Sequence, residues 1–203
     1  GIITMSDATG TELGSIAAQV ETDDQSSSFE YNGEATTLTL TFSGTTYIHN
    51  VTIVNDANTS IKKDDNGYFI VKAGDASNLL ATLEIANAQA SNESRTFIFV
   101  PNGTYDLGKT CLTKVSGNNI SIIGESMGNT IIKNTPEEES IDKTATLLVT
   151  GQNTYFQDIT LQNALDYYSA GSAGRAVCLQ DKGGRTICKN VRMLSYQDTY
   201  YSN

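Results

Sequence analysis

Near its C-terminal end the chain reads Tyr196-Gln197-Asp198-Thr199-Tyr200-Tyr201. A primary amide followed by a carboxylate is a pair suited to ester hydrolysis. The amide N–H can donate to a developing oxyanion, and the carboxylate can move a proton between leaving group and water. The pair alone equally suits a surface turn, so the elements around it must decide.

Those elements read as an all-β chain. The chain has 17 Gly, only 2 Pro and no Trp, and Thr-rich stretches alternate with Asn-Gly turns. Residues 1–66 read as a small β-rich module. Thr37–Phe42 alternates polar and apolar, and Thr46–Val54 continues the pattern after Ser43-Gly44, as in a hairpin or sandwich edge. Ile61–Gly67 is a polar linker. One helix is predicted from Asp75 to about Ala90. Leu79, Leu83, Ala86 and Ala90 recur on one helical face, and Asp75 can cap the free N–H groups at its start.

Past the helix, apolar strands are predicted at Thr96–Val100, Ile120–Ile123, Thr146–Val149, Tyr155–Leu161, Ala176–Leu179 and Thr186–Leu194. Ile98, Ile122, Leu147 and Cys178 recur at intervals that suit the rungs of a parallel β-helix. A β-sandwich would also give short strands with frequent turns. The single helix favours the β-helix, because it can close the open end of the core.

Charge narrows the function. Thirteen basic and 23 acidic residues give a net charge of −10, which disfavours nucleic acid as a partner. No apolar run approaches a membrane span of roughly 18 residues. The N-terminal segment has no signal-peptide pattern, which leaves a trimmed start open. Cys111, Cys178 and Cys188 lack metal or redox spacing and read as small buried apolar residues. No metal site and no cofactor are expected. Asp64-Asp65-Asn66-Gly67 reads as a solvated turn rather than a calcium loop, Pro136–Ser140 as a solvated loop, and His49 as structural.

Residues 68–203 resemble the N-terminal half of a pectin methylesterase (pectinesterase) catalytic domain. Six segments carry the resemblance in the family's order. They are Tyr68–Val71 with the following helix, Thr96–Tyr105, Asn119–Gly124 with Thr130–Ile132, Thr144–Thr146 with Phe156–Thr160 and Gln162-Asn163, Arg175–Leu179, and Tyr196–Tyr201. The resemblance implies an all-β fold, a right-handed parallel β-helix with one N-terminal capping helix, here incomplete, over residues 67–203. The module at 1–66 would precede it, as the end of a jelly-roll-like or carbohydrate-binding domain.

The resemblance also implies roles. Gln197 stands at an oxyanion-hole glutamine, and Asp198 at the carboxylate that acts first as general acid and then as general base. Tyr201 stands at a tyrosine lining the sugar groove, and Tyr200 is taken with it as substrate-binding. Arg175 replaces the family's other oxyanion glutamine, and a guanidinium can also donate. Leu107 stands where the family continues to a glutamate. The family's second aspartate and its orienting arginine lie downstream of the Gln-Asp pair and have no counterpart before Asn203.

The expected function is therefore a secreted, periplasmic or cell-surface carbohydrate esterase acting on the methyl esters of pectin or a related polyuronate. The 203-residue chain by itself is expected to have little or no activity, and to self-associate through an open β-helix end. The alternative is a non-catalytic β-helix that binds polysaccharide or acts as an adhesin. A polysaccharide lyase on the same fold would need acidic calcium-binding clusters, and none is visible.

Overall fold

The computed structural model describes residues 2–17, 37–44, 61–169 and 174–202. The chain divides into two compact units, Gly1–Val54 and Asn55–Asn203.

In the first unit, β1 (Ile2–Ser6), β2 (Glu12–Ala17) and β3 (Thr39–Ser43) form an antiparallel sheet with β1 at its centre. Asp7 makes the β1–β2 turn. Its Oδ1 accepts the backbone N–H of Thr9 at 2.8 Å and of Thr11 at 3.0 Å, which is why an Asp suits the start of a tight turn. The predicted partner strand Thr46–Val54 and His49 lie outside the described residues.

The second unit is a parallel β-helix. The first of its three faces stacks β4 (Tyr68–Ile70), β5 (Thr96–Val100), β8 (Ile120–Gly124) and the starts of β11 (Tyr155–Asn163) and β13 (Ile187–Leu194). On the second face, β6 (Gly103–Asp106) and β9 (Thr130–Asn134) stack with the ends of β11 and β13. The third is β7 (Thr113–Val115), β10 (Leu147–Val149), β12 (Leu179–Asp181) and β14 (Tyr200–Ser202).

Because side chains alternate along a strand, every second residue points inward and stacks on its counterpart in the next coil. Ile98, Ile122, Phe156 and Cys188 form one such column, and Tyr105, Ile132, Leu161 and Met193 another. The Ile98–Ile122 step expected from the sequence is present, but Leu147 does not continue it. Leu147 stacks between Thr113 and Leu179 on the third face, and Cys178 lies just before β12. The coils carry loops of different length, so a fixed interval drifts from one face to another. Cys178 is buried, Cys111 is half-buried and Cys188 is exposed, because Cys188 sits in the last coil of the described residues.

Helix α1 (Ala76–Gln89) covers the start of the core, as its pattern predicted. Asp75 caps it by accepting the Asn78 N–H at 2.9 Å. Leu79, Leu83 and Ala86 are buried in the same cluster as Ile98, Val100 and Tyr105. Asn87 fastens the helix to the first coil. Its Nδ2 donates to the Lys114 carbonyl, and its Oδ1 accepts from Ser116 N and Gly117 N.

The turns are held by polar ladders. Asn119, Asn153 and Arg185 repeat a left-handed backbone (φ 57°, 58° and 61°) at the entrance to the first face. Asn tolerates this conformation better than most residues do. Asn153 Nδ2 donates to Asn119 Oδ1 at 2.9 Å. Just upstream, Gly151 lies so close to the preceding coil that a Cβ there would collide with the Gly117 carbonyl. Inside the far end of the second face, Asn134 is stacked on Asn163. Asn163 Nδ2 donates to the carbonyls of Thr144 and Val177 at 2.9 and 3.0 Å.

Candidate active site

The segment Ser195–Thr199 connects β13 to β14. Parallel pairing ties it to the stretch entering β12 in the coil before. Ala176 N donates to the Gln197 carbonyl at 2.9 Å, and the Thr199 carbonyl accepts from both Cys178 N and Leu179 N. In a parallel ladder an N–H bonds the carbonyl one residue before its partner. The Ala176 bond therefore sets Ala176 beside Asp198 and Arg175 beside Gln197. The doubly accepting Thr199 carbonyl marks a one-residue slip, after which Leu179 pairs with Tyr200. Ser195 and Thr199 close the loop with a 2.7 Å bond between their hydroxyls.

Within this frame Gln197 is exposed and Asp198 half-buried. Asp198 holds a left-handed φ of 54°, which turns the chain sharply between Gln197 and Thr199. Non-glycine residues in that region are uncommon and gather at functional sites. Neither the Gln197 amide nor the Asp198 carboxylate is hydrogen-bonded among the described residues, so both are open to a ligand.

Arg175 is not open to the same degree. Its Nε and Nη2 donate to Glu139 Oε2 and Oε1, each at 2.6 Å, and its backbone N–H reaches Oε2 at 3.2 Å. Such a two-pronged pair is strong and fixes the guanidinium plane. It holds the Glu139 carboxyl below the usual carboxylate range, chiefly through the Arg175 side-chain hydrogen bonds. The same pair holds Arg175 more firmly protonated, with a smaller contribution from the nearby charge of Asp198. Arg175 Nη1 carries no hydrogen bond among the described residues. Glu139 is thus a member of the site that the sequence reading placed in a solvated loop. It lies 36 residues upstream in an acidic run, and no spacing rule marks it.

The two tyrosines separate. Tyr200 follows the inward register of Leu179, and its hydroxyl donates to Asp181 Oδ2 at 2.9 Å. Asp181, 6% exposed at a core-facing position, also accepts from Gly183 N and Thr186 Oγ1. Tyr201 lies on the other face, in register with Gln180. Gln180 is 1% exposed, and both of its amide atoms lack a hydrogen-bond partner among the described residues.

Asp158 lies within β11, at the corner between the first and second faces. It accepts from Asn190 Nδ2 at 2.5 Å and Gln157 Nε2 at 2.7 Å. These bonds, Asn190's first, hold its carboxyl below the ordinary range. Asp64 is consumed by its own turn, where its Oδ1 accepts from Asn66 N and Tyr68 N. Among the described residues no group of three or more His, Cys, Asp or Glu is placed to hold a metal ion.

A parallel β-helix closed by one helix, with an amide and a carboxylate free on a turn beside its third face, defines the class of this protein. The family comes from comparison: the pectinesterase family model matches residues 69–203, and the chain belongs to that family. It is similar to Pectinesterase 2 of Citrus sinensis, 31% identical over 137 residues, and to Pectinesterase 1 of Solanum lycopersicum, 33% identical over 141 residues. These matches cover 65% and 66% of the chain but only 25% and 24% of the relatives, so the chain spans about a quarter of their length. Among solved structures it resembles a pectin methylesterase from Erwinia chrysanthemi and a pectin methylesterase in complex with a hexasaccharide. Each is 24% identical with a TM-score of 0.47, over 59% of this chain and 40% of the other.

Proposed function

We propose that the full-length protein is a carbohydrate esterase that hydrolyses the methyl esters of polygalacturonate. The observation that carries this is the local register. It sets Arg175 beside Gln197, and among the described residues the Gln197 amide and Asp198 carboxylate carry no hydrogen bond, within the segment matched by the family model.

In this reading a carboxylate attacks the ester carbonyl. That carboxylate belongs to the segment that the family resemblance puts downstream of the Gln-Asp pair. Gln197 Nε2 donates to the tetrahedral oxyanion, with Arg175 Nη1 as a second donor. Asp198, protonated, gives its proton to the departing methanol, leaving an acyl-enzyme. Asp198 then takes a proton from water as the water attacks the acyl carbon, which frees the carboxylate and restores the acid. Tyr201 lies on the outer face of β14 and is taken as part of the sugar groove. Tyr200 supports the site through Asp181. The unit Gly1–Val54 acts as a separate small module, shorter than the 1–66 read from the sequence because Ile61 packs on the β-helix core and Lys63 bridges Phe69, and the protein works outside the cytoplasm, where its polymer is.

Removing one oxyanion donor typically costs on the order of 100 to 1,000-fold in rate. Gln197→Ala in the full-length protein is therefore expected to lower methanol release from methyl-esterified polygalacturonate by about that factor. Unchanged release would reject the role of Gln197. The grip of Glu139 on Arg175 favours one second reading, a β-helix that binds polyuronate without turning it over. In that case the full-length protein would bind the polymer and release no methanol.

A further inference from the structure

Three tyrosines stand in solvent beside the site. Tyr167, Tyr168 and Tyr196 are 38%, 88% and 60% exposed, while Tyr105 in the core is fully buried. They are not scattered. The rings of Tyr167 and Tyr196 stack with centroids 5.1 Å apart and planes 30° from parallel. Tyr168 meets Tyr167 edge-on at 5.6 Å and 86°.

The fold holds this group in place. Leu165, 2% exposed, anchors the start of the loop, and its N–H bonds Asn163 Oδ1. Asp166 shapes the turn that displays the rings, accepting Tyr168 N at 3.1 Å and Ser169 Oγ at 2.6 Å. Gly174 has a φ of 57°, and a Cβ there would collide with Cδ2 and Cε2 of Tyr167. The edge of the Tyr167 ring therefore rests on the backbone next to Arg175. Its stacking partner is the Tyr196 ring, which belongs to the next coil. Tyr167 thus bridges two coils, touching Gly174 and Tyr196, the residues just before Arg175 and Gln197.

We propose that Tyr167, Tyr168 and Tyr196 form a stacking subsite for a sugar ring of an acidic polysaccharide, immediately next to Arg175 and the Gln197–Asp198 pair. An aromatic face carries partial negative charge, which attracts the polarised C–H groups of a pyranose. Tyrosine offers that surface at small entropic cost, because it has only two side-chain torsions. The acidic class follows from charge. A chain of net charge −10 repels a polyanion at long range, so a uronate ring needs a local cation. Arg175, which follows the Gly174 backbone under the Tyr167 ring, supplies one through Nη1, which carries no hydrogen bond among the described residues. The proposal rests on reading Gln197–Asp198 as the ester site.

The test is a titration of the 203-residue chain with a partly methyl-esterified hexagalacturonate. The chain has no Trp and ten Tyr, so intrinsic emission reports on tyrosine alone. Losing one stacking ring is worth about tenfold in affinity. Tyr168→Ala and Tyr167→Ala are each expected to weaken binding about that much, while the Phe variants stay within about twofold of wild type. Tyr168, at 88% exposure, keeps the test sound where Tyr167→Ala disturbs the loop. Wild-type affinity in both Ala variants overturns the proposal, as does equal loss in the Phe and Ala variants or no binding by the wild-type chain. Cellohexaose, which lacks carboxylates, is expected to bind at least about tenfold more weakly, and equal binding overturns the acidic class. Methanol release by an Asp198 variant of the full-length protein is measured separately. Retained release there rejects the ester site while leaving the titration to judge the stack.

Discussion

The Arg175 guanidinium and the Glu139 carboxylate, 36 residues apart in sequence, grip each other through two 2.6 Å hydrogen bonds. A loop that reads as plain solvated acid thereby becomes the clamp on Arg175, the guanidinium proposed as a second oxyanion donor. The clamp occupies the Nε–Nη2 edge of the guanidinium, and Nη1 carries no hydrogen bond among the described residues.

This pair sets a pH dependence with a definite sign. Glu139 has its carboxyl depressed below the ordinary value by Arg175. The stabilisation is thus fully present above the unfolded carboxyl pKa of roughly 4.3. It is lost as pH falls through the lower folded value. NMR titration of the Glu139 carboxyl should give a midpoint below that of a free glutamate. In Arg175→Gln the midpoint should rise toward the ordinary value. An unmoved midpoint would show that the pair does not persist in solution.

The close approach of successive coils predicts a sharp response at Gly151. A Cβ there meets the Gly117 carbonyl, which is backbone and cannot swing aside. Overpacking of this kind costs about 1–3 kcal/mol. Gly151→Ala should lower the melting temperature by several degrees, since each kcal/mol is worth about 2–4 °C in a domain of this size. An unchanged melting curve would mean that the coils can part at this turn without loss.

Much of this scaffold was legible from the sequence. Asp75 announced the helix start, and Leu79, Leu83 and Ala86 its buried face. Ile98 and Ile122 gave the first inward column. The rest failed for identifiable reasons. Strands β7, β10, β12 and β14 have three residues each, too few to show a period. Ala176–Leu179 read as a strand because it is apolar, yet β12 begins only at Leu179. Leu147 was assigned to the Ile98 column because unequal loops broke the interval. Within the site, the Gln197-Asp198 pair and Arg175, which lie in neighbouring coils, were readable as candidates. Glu139 and the Tyr167–Tyr196 stack were not, because both depend on loops whose path no periodicity encodes.

The buried Asn163 offers a test that distinguishes donor from acceptor. Its Nδ2 feeds two carbonyls at once. Asn163→Ala should cost about 1–3 kcal/mol, from lost hydrogen bonds at a buried site. Asn163→Asp should cost more, because a carboxylate facing two carbonyls can donate to neither unless it is protonated. Chemical denaturation of the two variants checks the order, and an Asp variant as stable as the Ala variant would contradict this account of the ladder.

The central claim is that Asp198 moves the proton in ester hydrolysis, and methanol release tests it most directly. The full-length protein and its Asp198→Asn variant are compared on methyl-esterified polygalacturonate, with folding of both verified by melting. The amide keeps the shape of the side chain and removes its proton chemistry, whose contribution is typically about 100 to 10,000-fold. The account predicts a loss of at least about 100-fold in the variant. Release at the wild-type rate from a folded Asp198→Asn protein would contradict it.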